Sequence, residues 1–346
     1  MKTVIVGGGF CGATIAKKLD CPELTLIDKK SFFEYTPSIT KTSLDGEYKE
    51  NIIIPYREFL RESRILEEEV TEITPEKVIT NHEKIPYDRL IISTGSTYPI
   101  MLDDKENVFT LDNLENSLRI NKKIQKAKKI LVVGGGFIGT ELAGELATKT
   151  DKKITLVHSK KTLLERNPRK AGEYAKKFLE GKGVEVLLGK KITEHKGNTF
   201  NGDIELKADL CVWSAGISWN PPKMNGFGKV CNAKGQLMVD EFLRLKNHEN
   251  VFVGGDANDI DEEKTAQNAE HQAYSITDSM THELKGEKLV PYQKKKRPLV
   301  ISLGDSHGII TYRNHALTGR IPGITKHLVQ YYTLSGFNGI VSKVKR

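Results

Sequence analysis

Val4-Ile5-Val6-Gly7-Gly8-Gly9-Phe10-Cys11-Gly12 opens the chain, and Leu131-Val132-Val133-Gly134-Gly135-Gly136-Phe137-Ile138-Gly139 repeats it. Each copy is a short apolar run of strand type that breaks at a glycine cluster and continues into a helical pattern, with Ala16 and Ala143 at matching places. In such a turn the first glycine (Gly7, Gly134) permits the sharp bend. The second (Gly9, Gly136) lets backbone approach a pyrophosphate, and the third (Gly12, Gly139) lets helix and strand pack closely. The helices that begin at Phe10-Cys11 and Phe137-Ile138 then present unpaired N–H groups and a positive dipole end to the phosphates. One glycine pattern of this kind is weak evidence. Two, each between a strand and a helix and each followed by a second apolar strand, predict a duplicated dinucleotide-binding fold.

The second strands differ at the ribose position. Leu24-Thr25-Leu26-Ile27-Asp28 ends in an acid about twenty residues past the glycines, where a carboxylate hydrogen-bonds a ribose diol. Asp28, followed by Lys29, is therefore expected to hold the adenosine ribose of FAD. Ile154-Thr155-Leu156-Val157-His158 ends without an acid and runs into Ser159-Lys160-Lys161. A 2′-phosphate would meet no repulsion at His158 and Ser159, so NADPH is admitted beside NADH. The same lysines equally suit a solvated loop on an NADH site.

The rest of the chain extends the duplication. Residues 65–85 alternate apolar stretches with turn residues and predict a small β-meander. It leads to Arg89-Leu90-Ile91-Ile92-Ser93-Thr94-Gly95, a strand whose turn at Thr94-Gly95 should close over a nucleotide. Residues 184–216 echo this order and end at Gly216. Residues 237–256 then read as strand, loop and strand, with a helix beginning near Thr265.

With 346 residues, 38% hydrophobic and 28% charged, the chain predicts a folded α/β protein with two cores. No apolar run reaches the roughly 18 residues of a spanning helix, and the first strand starts almost at Met1, so a cytoplasmic location is expected. The four cysteines, Cys11, Cys21, Cys211 and Cys231, lack the close spacing of a zinc site or redox pair, so they read as reduced thiols and no metal is expected. A net charge of +8 permits nucleic acid, but no aromatic-basic interleaving or recognition motif supports it.

These residues, in this order, resemble the two-dinucleotide-binding-domain flavoproteins of the pyridine nucleotide–disulfide oxidoreductase superfamily. The resemblance implies two Rossmann-like domains: a discontinuous FAD domain (residues 1–108 and 246–290) and an inserted NAD(P)H domain (109–245). A short C-terminal module would follow at 291–346. It implies that Gly255 and Asp256 bind the FAD diphosphate and ribityl chain. No cysteine lies in residues 31–46, where the disulfide reductases of this superfamily carry their pair, so dithiol chemistry is excluded there.

Three segments are similar to type II NAD(P)H:quinone oxidoreductases. One is Thr265-Ala266-Gln267-Asn268-Ala269-Glu270-His271-Gln272, and another is Phe32-Phe33-Glu34-Tyr35-Thr36-Pro37 with Ile54-Pro55-Tyr56-Arg57. The third, Gly139-Thr140-Glu141-Leu142, places Glu141 on the acid that this branch positions near nicotinamide and flavin. His158-Ser159 is similar to the ferroptosis-suppressing quinone reductases, which accept NADPH. The implied reaction passes a hydride from NADH or NADPH to FAD and two electrons to a quinone, with Glu141, Gln267 and Gln272 as catalytic residues.

Physical chemistry supports part of this unaided. Hydride transfer leaves negative charge on the flavin, and a helix capped by Thr265 would aim the N–H groups of Ala266 and Gln267 at it. Gln267 would also orient a quinone carbonyl. His271 is a candidate proton donor, although a lone histidine is more often a bystander.

The tail adds a location. Ile324, Leu328 and Tyr332, then Phe337, Ile340, Val341 and Val344, fall at helical spacing and predict two amphipathic helices flanked by Lys343 and Arg346. With Lys294-Lys295-Lys296-Arg297 upstream, this module suits peripheral attachment to an anionic membrane on its inner face. A homodimer would cover the same stripe. Two other readings stay open: a soluble reductase of an acidic ferredoxin- or rubredoxin-type protein, and a flavin-dependent redox sensor of the apoptosis-inducing-factor type.

Overall fold

The computed structural model describes residues 1–219 and 221–338. Both glycine repeats fold as the sequence predicts. Thr3–Val6 and Lys129–Val133 each stand at the centre of a five-stranded sheet, whose pairings are all parallel. The first sheet runs Val251–Val253, Arg89–Ile92, Thr3–Val6, Leu24–Asp28, Arg64–Glu67. The second runs Val108–Thr110, Leu210–Trp213, Lys129–Val133, Lys153–His158, Glu185–Leu188. All four residues of Thr3–Val6 and of Leu210–Trp213 are buried, as expected of strands covered on both faces. The glycine turns lead into the helices Phe10–Lys18 and Phe137–Lys149.

Two boundaries differ from the sequence reading. The strand Arg64–Glu67 joins the parallel sheet beside Leu24–Asp28, and the meander starts only at Val70–Ile73. That meander gains an outer strand, Lys223–Met224, paired with Val70–Ile73. Phe227, Val230, Leu237 and Leu245 likewise pack in one core with Val4, Val6 and Ile73. The chain thus returns to the first unit before residue 246, because short strands carry no mark of the sheet they will join. The strand expected at 237 forms isolated bridges instead.

The C-terminal module is the three-stranded antiparallel sheet Leu299–Leu303, His307–Tyr312, His315–Gly319, followed by the terminal helix Arg320–Asn338. The sheet lies on Phe137–Lys149 at Gly144, where an added Cβ would stand 3.2 Å from the Gly304 nitrogen. The helix runs straight through Gly336, where the sequence reading places the break between two helices, and most of the second expected helix lies outside the described residues. A helical glycine costs about 1 kcal/mol, and the burial of Phe337 against Phe33 and Phe59 outweighs it. Ile340, Val341, Lys343, Val344 and Arg346 lie outside the described residues. Among the described residues no helix is long and apolar enough to cross a membrane.

Candidate functional site

The two glycine turns are near-superimposable in their constraints. Gly7 (φ +95°) and Gly134 (φ +113°) occupy the left-handed region that only glycine enters cheaply. A Cβ on Gly12 would fall 1.9 Å from the Gly7 carbonyl oxygen, and one on Gly139 would fall 1.9 Å from that of Gly134. A Cβ added at Gly9 or Gly136 would meet nothing within 4 Å, so these positions are open to an approaching ligand. Each turn is braced from the neighbouring strand by a serine that the sequence reading missed. Ser93 Oγ donates to the Gly7 oxygen (2.8 Å), and Ser214 Oγ to that of Gly134 (3.2 Å). Their matching places before Gly95 and Gly216 were the available signal.

At the ribose positions, Asp28 accepts from the backbone N–H of Gly8 (2.5 Å) and of Lys30 (2.8 Å). Lys29 points away, to Glu69. In the second repeat His158 takes the place of Asp28, and its Nδ1 accepts from the Gly135 N–H (3.1 Å). Around it opens a cleft of about 850 Å³ lined by Gly136, Phe137, Ser159, Lys160, Trp213 and Gly216, among others. The loop residues Asp259 to Lys264 of the first unit close its far side.

The first unit completes a second binding face. Gly255 (φ +71°) and Asp256 follow the edge strand, and Thr94 and Gly95 (φ +74°) follow its neighbour. Burial pushes the Asp256 carboxyl up, while the Ser96 hydroxyl (2.8 Å) and the Lys264 charge hold it down. Trp219, also missed, donates its indole N–H to the Asp256 carbonyl (2.7 Å). Cys11 packs against Gly254, where an added Cβ would lie 2.2 Å from its sulfur. Burial, then the Asp256 charge, pushes its thiol up, so it is a packing group.

Thr265 caps the long helix Ala266–Lys285, accepting from the Asn268 N–H. Two residues past the cap, Gln267 keeps a buried Oε1 with no hydrogen-bond partner, as does Asn268 with its Oδ1. Buried polar atoms are nearly always paired, so two orphans at one helix start fit a polar ligand there. Gln272, expected beside them in catalysis, lies deeper. It is 1% exposed, and its Oε1 accepts from Gly255 N (2.7 Å) and Asn258 Nδ2 (2.7 Å) while its Nε2 donates to Glu262 (2.6 Å). With both ends of the amide committed, Gln272 positions the Gly255 turn rather than meeting a substrate. His271 is likewise engaged, with the Gln293 carbonyl, and burial lowers its basicity.

Glu141 sits in the second-repeat helix but faces the C-terminal module. It is buried, accepts from Ser302 N (2.8 Å), and pairs with Lys326 of the terminal helix. Lys326 carried no local signal, since its partner lies in another domain. Phe337, further along the same terminal helix, joins Phe10, Phe33, Tyr35 and Phe59 in an aromatic cluster at the first glycine turn.

Paired glycine turns, the open Gly9 and Gly136 and the orphaned amides define a flavoprotein with two dinucleotide folds. The chain belongs to the pyridine nucleotide-disulphide oxidoreductase family, whose sequence profile matches residues 1–273. It is accordingly an NAD(P)H-dependent flavin oxidoreductase that uses FAD. Apoptosis-inducing factor homolog B of Dictyostelium discoideum is 30% identical over 89% of this chain and 88% of that protein. Ferroptosis suppressor protein 1 of Xenopus tropicalis is 29% identical over 89% and 88%. A type II NADH:quinone oxidoreductase of Staphylococcus haemolyticus is 24% identical over 98% and 96%. In fold, the chain matches the NDH2 of Plasmodium falciparum solved with NADH, with a TM-score of 0.86 at 17% identity, covering 97% of this chain and 95% of that one.

Proposed function

We propose that this protein is an NAD(P)H:quinone oxidoreductase that works at the surface of an anionic membrane on its cytoplasmic side. The observation that carries the reading is the two-sided terminal helix. One side places Lys326 on Glu141 and Phe337 on Phe33. The other exposes Ile321 (72%), Ile324 (60%), Leu328 (63%) and Tyr332 (81%), with Tyr331 beside them. A stripe this apolar on one helix marks a contact surface, and a lipid-soluble acceptor explains why it adjoins the flavin side. The type II NADH:quinone oxidoreductase among the relatives supports the same acceptor.

In this reading the turn at Gly7, Gly9 and Gly12, with Asp28, Gly255 and Asp256, holds FAD, which supplies two-electron chemistry by taking a hydride and passing electrons on. Gly134, Gly136, Gly139 and Gly216 hold the pyridine nucleotide. The N–H groups at the start of Ala266–Lys285 stabilise negative charge on the ring system, and Gln267 orients the acceptor carbonyl. Glu141 and Lys326 hold a proton close to the site without a net charge. The balance is NAD(P)H, one proton and quinone giving NAD(P)⁺ and quinol.

The test is co-sedimentation with anionic phospholipid vesicles alongside short-chain quinone reduction. Ile324→Glu with Leu328→Glu should release the protein from vesicles and spare reduction of a soluble dye. Truncating the helix would be uninformative because its other side is core. A dimer by light scattering that the double variant dissociates, with no vesicle binding by the parent, would assign the stripe to a homodimer and overturn the membrane part. Gln267→Leu should slow quinone reduction more than flavin reduction in stopped-flow traces, and equal slowing would count against its role.

A further inference from the structure

We infer that Glu165 is the acid missing from the end of the second-repeat strand, and that with His158 it decides whether NADH or NADPH is bound. The inference rests on the pyridine-nucleotide reading of the second repeat and deepens it.

His158 Nδ1 accepts the Gly135 N–H, so the neutral ring must carry its proton on Nε2. That Nε2–H points at Glu165 Oε2, 3.1 Å away. In the first repeat one side chain, Asp28, both anchors the glycine turn and offers a carboxylate to a ribose. Here the two tasks are divided. His158 anchors the turn, and the carboxylate is presented one residue further out through the imidazole.

The loop is built to deliver it. Leu163 and Leu164 are buried at 1% and 2% exposure, and Leu164 N donates to the Gly135 carbonyl at 2.9 Å. Leu164 adopts φ +52°, a left-handed conformation that a leucine enters only when its surroundings hold it there. The strained residue is the one that turns the chain so that Glu165 faces His158. Leu163 also packs so tightly that a Cβ on Gly135 would meet its Cδ2 at 2.5 Å and the His158 ring at 2.8 Å.

Glu165 is 35% exposed at its side chain, so it can move while His158 stays fixed. With Glu165 in place, its second oxygen accepts from the 2′-hydroxyl of NADH. With Glu165 turned out, the His158 Nε2–H faces the ligand, and Lys160 and Arg166, which line the same cleft, supply positive charge to a 2′-phosphate. The Glu165 carboxylate therefore favours NADH and opposes NADPH, and the chain's missing strand-end acid does not leave the site indifferent.

The test titrates the FAD-loaded protein with NAD⁺ and NADP⁺, reading the fluorescence of Trp213 and Trp219 in the cleft or calorimetric heat. Flavin bleaching by NADH is followed in parallel as a control of the coenzyme reading. Glu165→Gln should shift the ratio of the two dissociation constants toward NADP⁺ by about tenfold or more, the fold-change one charge-assisted hydrogen bond carries. Adding His158→Asp to that variant should restore preference for NAD⁺, since the acid returns to the strand end as in Asp28. A ratio that moves less than threefold in Glu165→Gln, or moves toward NAD⁺, overturns the proposal; any larger shift toward NADP⁺ supports it. If the unaltered protein binds neither nucleotide and its flavin is not bleached, the coenzyme reading itself fails, and this one with it.

Discussion

Replacing Lys326 by methionine, which removes its bonds to Glu141 and to the Ser302 hydroxyl, should loosen the whole terminal helix. Lys326 and Glu141 are each 7% exposed, and once the ammonium is gone the Glu141 carboxylate retains Ser302 N as its hydrogen-bond donor. Two unit charges about 4 Å apart at an effective dielectric of about 20 attract by about 4 kcal/mol. Stripping one partner from a buried pair costs about 3–5 kcal/mol in measured cases, so the two estimates agree. The helix is also held at its edges by Gln330, bonded to Ser38 (2.8 Å) and Tyr48 (3.0 Å), by His327 against Lys41 (3.2 Å) and by Phe337, so the loss should appear first as detachment of this element. At tenfold per 1.4 kcal/mol, amide exchange over residues 326–337 should accelerate by roughly 10²-fold or more. Native-state hydrogen exchange on Lys326→Met, Glu141→Gln and the double variant measures this. The double variant should recover at least an order of magnitude, because an uncharged pair leaves no buried charge to desolvate. Exchange within threefold of the parent in Lys326→Met, or additive effects in the double variant, would refute the reasoning.

Gly9→Ala should leave the thermal stability of the flavin-free protein within about 1 kcal/mol of the parent while weakening FAD retention, since only the ligand side of Gly9 is open. Gly12→Ala, with its Cβ 1.9 Å from a carbonyl oxygen, should cost about 3 kcal/mol or more; equal behaviour of the two would count against the pyrophosphate assignment. Asp20 accepts from Arg61 N (2.8 Å) and Ser63 N (2.9 Å) as well as from the Ser63 hydroxyl. Burial pushes its carboxyl up, but the Ser63 hydroxyl and the backbone N–H groups pull harder and leave it below the ordinary value. A depressed folded-state pKa contributes stability above the unfolded value of about 3.9 and loses it as pH falls through the folded value. Asp20→Asn should thus be about 1–2 kcal/mol less stable at pH 7 by urea titration, and the two proteins should converge in acid; a constant gap would contradict this. Gly336→Ala has no neighbour within 4 Å and should raise Tm, the gain being about 0.5–1 kcal/mol. A fall would show that the helix needs glycine there.

The features that one strand, turn and helix contain were largely open to reading from the chain alone. The glycine turns, the acid at Asp28 and the Thr265 cap each lie within a few tens of residues, in or just after one strand-turn-helix unit. There backbone sterics and periodicity leave a local trace. Pairings between distant residues left none. Glu141 and Lys326 are separated by 185 positions, and Ser38 and Gln330 by 292. A lysine that will be buried reads like any exposed one until the fold brings it a carboxylate. Lys223–Met224 could equally have joined either unit, and Gln272 looked like a neighbour of Gln267 until packing engaged both ends of its amide. The same holds for Glu165, which local pattern shows only as an acid in a loop. Burial and a leucine held at positive φ bring it to His158, and these are properties of the packed chain. Short-range chemistry follows from neighbours in sequence, whereas the partner of a buried charge is chosen only when the domains close on one another.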